Sequence, residues 1–530
     1  MNKHSLIAVT LMISAILLAN GCQCAHRGPV VTDTTTITVT TSGKVQGYLD
    51  GGIYTFKGIP YAQAERFMPP EKPEHWSNVR MCRIYGPKCP QSGVSLNWNY
   101  EPGDSRFGFN GAIEAMDEKE CLVLNVWSKG LNDGKKRPVF FWIHGGGFAT
   151  GSSSELQCYE GRALAEKGDI VVVSINHRLN ILGYLDLRSL GGRYSESVNL
   201  GMQDIVMALE WVKENIRNFG GDPENVTVAG QSGGGGKVDC LMSMPSAIDL
   251  FDRAIAQSGS WVLHTADEIG KELGRDVLEE LGVSGSEEAI REKLNSLDYN
   301  VLVKAGDKAL RKAHLQMFCP TVDGKYVTDP SFDPDAPTMS RHIPMMIGSN
   351  QNEFSYSRQN LSEEEIFARL VEMVGEEDAV DYLQDYRKAY PDGRLQDVLY
   401  TDLFLRKKAV AMADAKSAIG SDVYMYLFSW KPDGNDLGSV HGMEMPFMFN
   451  NIALQREMTG GTKDAYKLAD LMSSAWINFI RCGDPNVKGL PDWQPYTAEN
   501  GNTMVFDKKC KTVHNHDRNL IEKHLATMHF

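Results

Sequence analysis

The chain has 530 residues, of which 42% are hydrophobic and 23% charged, which is the composition of a globular protein with a large core. Its formal net charge is −14, and no run of lysines and arginines stands out, which argues against nucleic acid as a partner. A chain of this length can hold roughly two to four domains, although large α/β enzymes often form one unit.

The first residues predict an export signal. A short polar and basic start precedes an apolar run over residues 6–19, and small residues then lead to Cys22. An apolar run of this length is typical of a signal peptide rather than a membrane span. Because LLANGC resembles a bacterial lipobox, Cys22 is either a lipidated, membrane-attached N-terminus or part of a segment lost by ordinary cleavage. We predict a signal peptide at 1–24, a linker at 25–37 and one domain at 38–528, in a secreted, periplasmic or lipid-anchored envelope protein.

Apolar, β-branched segments then alternate with helical patterns along the domain. The stretch QDIVMALEWVKENIRNF places Ile205, Leu209, Val212 and Ile216 on one helical face. Such alternation predicts an α/β fold with a large, mostly parallel twisted sheet and helices on both faces. A charged, helical stretch from about 262 to 320 predicts an excursion that covers one edge of the sheet. The clearest strands are PVFFWI (138–143), IVVVSIN (170–176), NVTVAG (225–230), IPMMIGSN (343–350) and DVYMYLFSW (422–430).

The segment VTVAGQSGGGGKVDC places a glycine-rich turn between a strand and a helix, where two chemistries are known. A phosphate-binding loop needs G-x-x-x-x-G-K-[ST], but Gln231 stands at its first glycine and Val238 at its last position. Lys237 is therefore out of frame, and the motif assigns it no role. Residues 230–234, GQSGG, match the nucleophile elbow G-x-S-x-G instead, with Ser232 as the nucleophile at a helix N-terminus that favours negative charge.

A second glycine turn, in WIHGGGFATG, follows an earlier predicted strand. Acyl transfer builds a negative oxygen in the transition state, and backbone N–H groups directed at that oxygen stabilise it. We expect the N–H groups of Gly146, Gly147 and Gly233 to form such an oxyanion hole. The alternative is a tight turn that only closes the strand.

Many further motifs occur in one order over residues 38–506, among them FKGIPYA, YGPKCPQ, ECLVLNVW, HGGGF, NLGMQD, AIAQSGS, GSNQNEF and VHGMEMPFMF. In this series the chain resembles the type-B carboxylesterase/lipase family, the cholinesterase-like branch of the α/β-hydrolases, of the bacterial carboxylesterase or para-nitrobenzyl esterase type. The resemblance implies an α/β-hydrolase fold and a triad in the order serine, acid, histidine. It implies Glu353 in GSNQNEF as the acid and His441 in GSVHGMEMPF as the base. Their alternatives are a solvated carboxylate and a structural histidine, and His144 is the nearest rival base.

The resemblance has further implications outside the triad. It implies a disulfide between Cys89 and Cys121, while the other cysteines stay unassigned, and it places Gln231 and Ser258 in a shell around the triad. Ser258 is alternatively a small residue at a strand end. Gln231 and Gly233 stand where the family often has Glu and Ala, and the missing carboxylate argues against a cationic substrate.

The sequence therefore predicts a carboxylic ester hydrolase that acts on a small-molecule ester through an acyl-enzyme intermediate, without metal or cofactor. Two alternatives remain. One is a catalytically inactive, cholinesterase-like binding module, against which the presence of Ser232, Glu353 and His441 argues. The other is a hydrolase of the same fold that cleaves amide, carbamate or lactone bonds, because one triad can attack all of these.

Overall fold

The computed structural model describes residues 29–32, 35–91, 115–260, 264–355, 359, 361–433 and 437–524. The predicted signal peptide at 1–24 and Cys22 lie outside these residues. Within the described residues, none of the helices combines the length and the apolar character that crossing a bilayer requires.

The strands, in chain order, are β1 Ile37–Thr40, β2 Gly43–Gln46, β3 Tyr48–Asp50, β4 Ile53–Pro60, β5 Arg80–Met81, β6 Val123–Ser128, β7 Arg137–Ile143, β8 Val171–Ile175, β9 Gly221–Gln231, β10 Arg253–Gln257, β11 Thr265–Ala266, β12 Thr321–Val322, β13 Met345–Asn350, β14 Val423–Phe428, β15 Asn502–Phe506 and β16 Lys511–His514. The helices are α1 Arg162–Gly168, α2 Asn180–Tyr184, α3 Leu200–Asn215, α4 Gly233–Leu241, α5 Asp267–Glu280, α6 Glu287–Ser296, α7 Tyr299–Lys312, α8 Glu363–Val374, α9 Glu376–Ala389, α10 Phe404–Ala418, α11 Met445–Met448, α12 Arg456–Thr459, α13 Lys463–Cys482 and α14 Arg518–His524.

One 11-stranded sheet organises the fold, in the order β16-β15-β14-β13-β10-β9-β7-β8-β6-β4-β3. The strands from β8 across to β15 pair in parallel, and antiparallel strands flank them on both sides. The five strands singled out from the sequence are β7, β8, β9, β13 and β14. The large, mostly parallel sheet is therefore confirmed.

Both faces of this sheet are covered, as predicted. Phe141 and Trp142 of β7 belong to two different apolar clusters. Successive side chains of a strand point to opposite faces of the sheet, so each face has its own cluster. Leu209 of α3 and Val238 of α4 share the cluster of Phe141, and Trp476 of α13 shares that of Trp142. Burial on both faces explains why these strands appear as continuous apolar runs.

The parallel strands bring their carboxyl ends to one edge of the sheet. Gln231 at the end of β9 pairs with Gln257 at the end of β10, and Asn350 at the end of β13 pairs with Phe428 at the end of β14. Ligands of open α/β sheets bind outside the carboxyl ends of the strands. The predicted nucleophile and acid follow β9 and β13 directly, so this edge holds the candidate site.

The predicted excursion contains the helices α5, α6 and α7. The structure places its end beside the second glycine turn: the Met317 sulfur lies 3.3 Å from the position of a Cβ on Gly147. That the whole excursion covers one edge of the sheet stays a prediction. Amphipathic periodicity indicates a helix but not which part of the fold the helix meets.

The end of the predicted linker contacts the fold. Val30 and Leu49 of β3 exchange two backbone hydrogen bonds of 2.8 Å. Val30 therefore pairs with β3, the edge strand of the main sheet.

Candidate active site

Ser232 occupies a sharp turn between β9 and α4. Its backbone has φ 57° and ψ −128°, a conformation that costs about 1–3 kcal/mol for a residue with a side chain. The surroundings hold it there, since its N–H donates to Gln257 O at 2.8 Å and its carbonyl accepts from Gly236 N–H at 3.1 Å. Strain of this kind, held by neighbouring strands, is the backbone geometry of a nucleophile elbow.

The glycines on either side of Ser232 are required by close backbone contacts. A Cβ on Gly230 would lie 2.3 Å from the carbonyl carbon of Gly234. A Cβ on Gly234 would lie 2.1 Å from the carbonyl oxygen of Ile143, at the end of β7. No side chain fits at these distances, so the pattern G-x-S-x-G follows from the packing of the turn.

Glu353 and His441, predicted as acid and base, are in direct contact. Glu353 follows β13, is fully buried, and its Oε2 lies 2.6 Å from Nδ1 of His441. Its Oε1 accepts the backbone N–H of Asn350 at 2.7 Å, and its carbonyl accepts the backbone N–H of His441, also at 2.7 Å. The carboxylate is thus held by two donors, and the imidazole is held by its ring and its backbone.

The contact with Glu353 sets the tautomer of His441. Nδ1 carries the proton that the carboxylate accepts, so a neutral imidazole presents its lone pair at Nε2. The side-chain nitrogen of Gln231 lies 3.0 Å from this Nε2 and donates to it. Gln231, expected around the triad, therefore touches the base itself, and its amide competes for the lone pair that a general base needs.

A second buried carboxylate, Glu444, lies beside this pair. Asn350 joins the two acids, because its backbone N–H bonds Glu353 and its side-chain amide donates to Glu444 Oε2 at 2.6 Å. Burial and the nearby charge of Glu353 raise the pKa of Glu444 to about 7. Burial and the same charge raise the pKa of Asp402 to about 7. Sequence reasoning missed Asp402, and it set Glu444 aside as a rival to Glu353 for the acid because Glu444 does not keep the family motif.

Ser258 lies just past the end of β10, with φ 45° and its N–H donated to Gly348 O at 2.8 Å. Its hydroxyl oxygen is buried, and within the described part of the chain it has no hydrogen-bond partner. The geometry thus includes no bond from Ser258 to the triad, and its place in the shell around the triad stays a prediction.

The predicted oxyanion loop lies against the N-terminus of α4. Gly146 and Gly147 have φ of 85° and 63°, which only glycine adopts readily. The carbonyl of Gly146 accepts the N–H of Thr150 at 3.0 Å, so the Gly147 N–H of the same peptide points the opposite way. A Cβ on Gly233 would lie 2.2 Å from Gly147 O and 2.4 Å from Gly147 N. The structure therefore brings Gly147 and Gly233 together.

His144, the rival base, is buried within its own loop. Its Nδ1 donates to Gly145 O at 2.9 Å, and its ring stacks on that of His177 with centroids 4.9 Å apart. Burial and the charge of Lys237 lower the pKa of His144 to about 3. This histidine bonds its own loop, whereas the carboxylate of Glu353 bonds His441. Among the described residues, no cluster of His, Cys, Asp and Glu side chains is arranged to hold a metal ion.

A cavity of about 120 Å³ opens beside the glycine loop. It lies next to the loop because Ala149 and Met317 line it, and the Met317 sulfur lies 3.3 Å from where a Cβ on Gly147 would be. Helix α7 forms one wall with both apolar and acidic side chains. The lining residues further include Ile181, Val303, Asp307 and Phe318.

The predicted disulfide is not present in the structure, in which Cys89 and Cys121 are both free and buried. The two are nonetheless neighbours, because a hydrogen bond with Cys89 and burial raise the pKa of the Cys121 thiol. The predicted disulfide is therefore not confirmed: the two thiols are neighbours, but no covalent bond joins them, and forming that bond requires an oxidant as well as geometry.

The comparisons with known proteins agree with this geometry. The model of the carboxylesterase family matches residues 33–525. The chain is 34% identical to the para-nitrobenzyl esterase of Bacillus subtilis, over 90% of this chain and 96% of the relative. It is 30% identical to human carboxylesterase 3, over 92% and 89% of the two chains.

Solved structures give the same picture. An esterase from Clostridium hathewayi, described as hydrolysing aliphatic aromatic polyesters, superposes with a TM-score of 0.85 at 35% identity, over 94% of this chain and 99% of that one. A thermophilic para-nitrobenzyl esterase superposes with a TM-score of 0.73 at 31% identity, over 92% and 100% of the chains. Together with the sheet described above, these superpositions show the α/β-hydrolase fold.

Proposed function

The chain belongs to the carboxylesterase family and is a serine carboxylesterase, and we propose that it cleaves short- or medium-chain carboxylic esters with a triad of Ser232, His441 and Glu353. The observation that carries the proposal is the 2.6 Å contact between Glu353 and His441 at the strand edge where the strained Ser232 turn lies.

Acylation begins when Ser232 Oγ attacks the ester carbonyl carbon while His441 Nε2 accepts the hydroxyl proton. The carbonyl electron pair moves to its oxygen, and the N–H groups of Gly146, Gly147 and Gly233 donate to the oxyanion. When the tetrahedral intermediate collapses, the bond to the alcohol oxygen breaks and the alcohol takes the proton from His441. The product of this half is an acyl ester on Ser232.

Deacylation repeats the same steps with water. His441 accepts a proton from water as its oxygen attacks the acyl carbon, and then returns that proton to Ser232 Oγ as the acid leaves. Throughout, the ionised Glu353 stabilises the imidazolium and keeps Nδ1 protonated. Its second oxygen stays bonded to the N–H of Asn350, which fixes the carboxylate while the proton moves.

The cavity beside the glycine loop supports small acyl groups. Its volume of about 120 Å³ and its apolar side chains, such as Ile181, Met317 and Phe318, suit a short or medium acyl chain. The polyester-hydrolysing relative makes aromatic and aliphatic diester fragments reasonable members of a substrate panel.

The test compares p-nitrophenyl acetate, butyrate and longer esters with wild type and Ser232→Ala. We expect Ser232→Ala to lose at least about 10³-fold in kcat, because the nucleophile is absent. Ser474→Ala is the matched control: this serine donates to Asp470 O within α13, outside the site, so its rates should equal those of wild type. A fluorophosphonate should label wild type and fail to label Ser232→Ala.

Equal rates for wild type and Ser232→Ala would refute the assignment of the nucleophile. If wild type cleaved none of the esters but did cleave matched anilides or carbamates, the assignment of an ester bond would be wrong. The assignment of the triad would be unaffected. We further propose, from the sequence of residues 1–24, that the protein is exported.

A further inference from the structure

Lys237, which fits no sequence motif, is fully buried in α4 against the glycine loop. Its ammonium donates to the carbonyl oxygens of Gly147 at 2.8 Å and His144 at 3.4 Å. The same nitrogen lies 5.4 Å from the ring centroid of Phe148, the next residue of the loop. A charged side chain is almost never buried without interactions that offset its desolvation.

The two carbonyls that Lys237 bonds lie at the two ends of the glycine turn. His144 precedes Gly145 and Gly146, and Gly147 closes the turn, so the ammonium bridges entry and exit. Consecutive glycines lose more conformational freedom on ordering than other residues, and their peptides rotate with little steric resistance. A rotated peptide would turn an N–H away from the substrate oxygen. A bridge between the ends of the turn removes that freedom.

Gly233 and Lys237 act on Gly147 from the same face of α4. They are four residues apart, so their side-chain positions lie one helical turn from each other. Gly233 has no Cβ, and this lets the Gly147 carbonyl approach to a place where such a Cβ would lie only 2.2 Å from its oxygen. Lys237 supplies the donor that this carbonyl meets. The glycine at 233, where the family often has alanine, and the lysine at 237 therefore form one arrangement.

We propose that Lys237 is a positioning residue of the oxyanion hole, whose ammonium clamps the carbonyls of His144 and Gly147 so that the loop N–H groups face the substrate oxygen. Its charge also adds positive potential on the side where the oxyanion develops. The proposal rests on the ester-hydrolysing function proposed above.

The charge of the clamp changes near neutral pH. Burial lowers the pKa of Lys237 to about 7, and the charge of Glu155 opposes this shift. The facing imidazoles do not titrate there, because burial and the Lys237 charge lower the pKa of His144 to about 3 and that of His177 well below its usual value. Lys237 is thus charged below about pH 7 and neutral above it, while both histidines stay neutral.

The first test is Lys237→Met, which removes the ammonium and keeps an apolar stem. Lys416→Met is the matched control: Lys416 is also fully buried, its ammonium donates to Ser340 Oγ at 2.9 Å, and burial lowers its pKa to about 7. Ser340 precedes β13, so this lysine lies at the amino edge of the sheet, away from the site. The readouts are kcat and KM for p-nitrophenyl butyrate and the Ki of a trifluoromethyl ketone that forms a tetrahedral adduct.

We expect Lys237→Met to lose about 10- to 100-fold in kcat with little change in KM, and the Ki of the ketone to rise by a similar factor. Lys416→Met should keep both constants within about twofold. The kcat ratio of wild type to Lys237→Met should be largest at about pH 6 and shrink above about pH 7, because the ammonium is lost. Groups that titrate in both proteins affect both kcat values equally, so their effect cancels in this ratio. A kcat of Lys237→Met within about threefold of wild type at low pH, or an unchanged Ki, would overturn the proposal.

Gly233→Ala tests the clamp in a chain that keeps the lysine, should Lys237→Met not fold. The new Cβ forces the Gly147 carbonyl away from the ammonium, so the Ki of the ketone should rise comparably. The double variant should lose no more than either single change, because both break one contact. Additive losses would contradict the proposal. An inactive Ser232→Ala beside a fully active Lys237→Met would refute the clamp alone, whereas an active Ser232→Ala would refute the proposed function.

Discussion

Replacing Glu353 by glutamine should reverse the tautomer of His441, so that the ring proton moves from Nδ1 to Nε2. Glu353 Oε1 accepts the Asn350 N–H at 2.7 Å, and in the variant only the oxygen of the side-chain amide can accept that N–H. The NH2 group of the introduced amide must then face Nδ1 of His441, which in the native protein is the donor at 2.6 Å. The imidazole then accepts a hydrogen bond from this NH2 group at Nδ1 and carries its own proton on Nε2. In that tautomer it cannot take the proton of Ser232.

The magnitude follows from this forced tautomer. A wrong tautomer in a serine triad costs about 10⁴-fold in kcat, or about 5.4 kcal/mol of transition-state stabilisation. Glu353→Ala, which imposes no tautomer, should lose less than Glu353→Gln although it deletes more atoms. The assay is the kcat of both variants on p-nitrophenyl butyrate, with thermal melting to confirm that both are folded. If Glu353→Gln kept a tenth of the native kcat, or were faster than Glu353→Ala, the deduction from Asn350 would be wrong.

Three other features give testable outcomes. Burial raises the pKa of Asp239, whose carboxylate has no hydrogen-bond partner among the described residues, so the native state binds a proton that the unfolded chain releases above about pH 4. Stability should fall as pH rises from there by up to about 1.4 kcal/mol per unit, and Asp239→Asn should lack this slope in urea titrations at successive pH values. Oxidation should join Cys89 to Cys121, remove two titratable thiols and stabilise the fold by about 3–4 kcal/mol, with no such change in the double serine variant. Mass spectrometry of the exported protein should find either a lipid on Cys22 or an unmodified terminus beyond it, and an intact signal at 1–24 would contradict export.

The strands were the most predictable part of the fold. Residues 138–143 and 343–350 were expected as strands, and the structure has Arg137–Ile143 and Met345–Asn350. Burial on both faces makes such strands uninterrupted apolar runs, which the sequence displays directly. The helical excursion was predictable in type only. Its contact with the glycine loop through Met317 depends on tertiary packing, which periodicity does not encode.

In the candidate site, too, some residues could be predicted from the sequence and others could not. Motif order along the chain predicts Ser232, Glu353 and His441, and the structure adds the contact between Glu353 and His441. The contact of Gln231 with His441, and the bridge that Asn350 makes between Glu353 and Glu444, join residues that come together only when β9, β13 and the segment after β14 meet at one edge. No local pattern signals such contacts. The disulfide is a related case: the family resemblance implies a bond between Cys89 and Cys121, whereas the structure has two free thiols side by side.

The glycine run after Ser232 shows why Lys237 could not be interpreted from the sequence. Cβ atoms on Gly233, Gly234 and Gly235 would meet the backbone at three different places, at Gly147 O, Ile143 O and the Cα of Gly259. Each glycine thus has its own steric reason, and none concerns a phosphate. Lys237 can be interpreted only from the contact of Gly233 with Gly147. The carbonyl of Gly147, which approaches because Gly233 has no Cβ, is the one that the ammonium bonds. A side chain at position 233 alone would exclude the Gly147 carbonyl, and the loss of the lysine at 237 alone would leave that carbonyl without its donor. We therefore expect the two residues to change together.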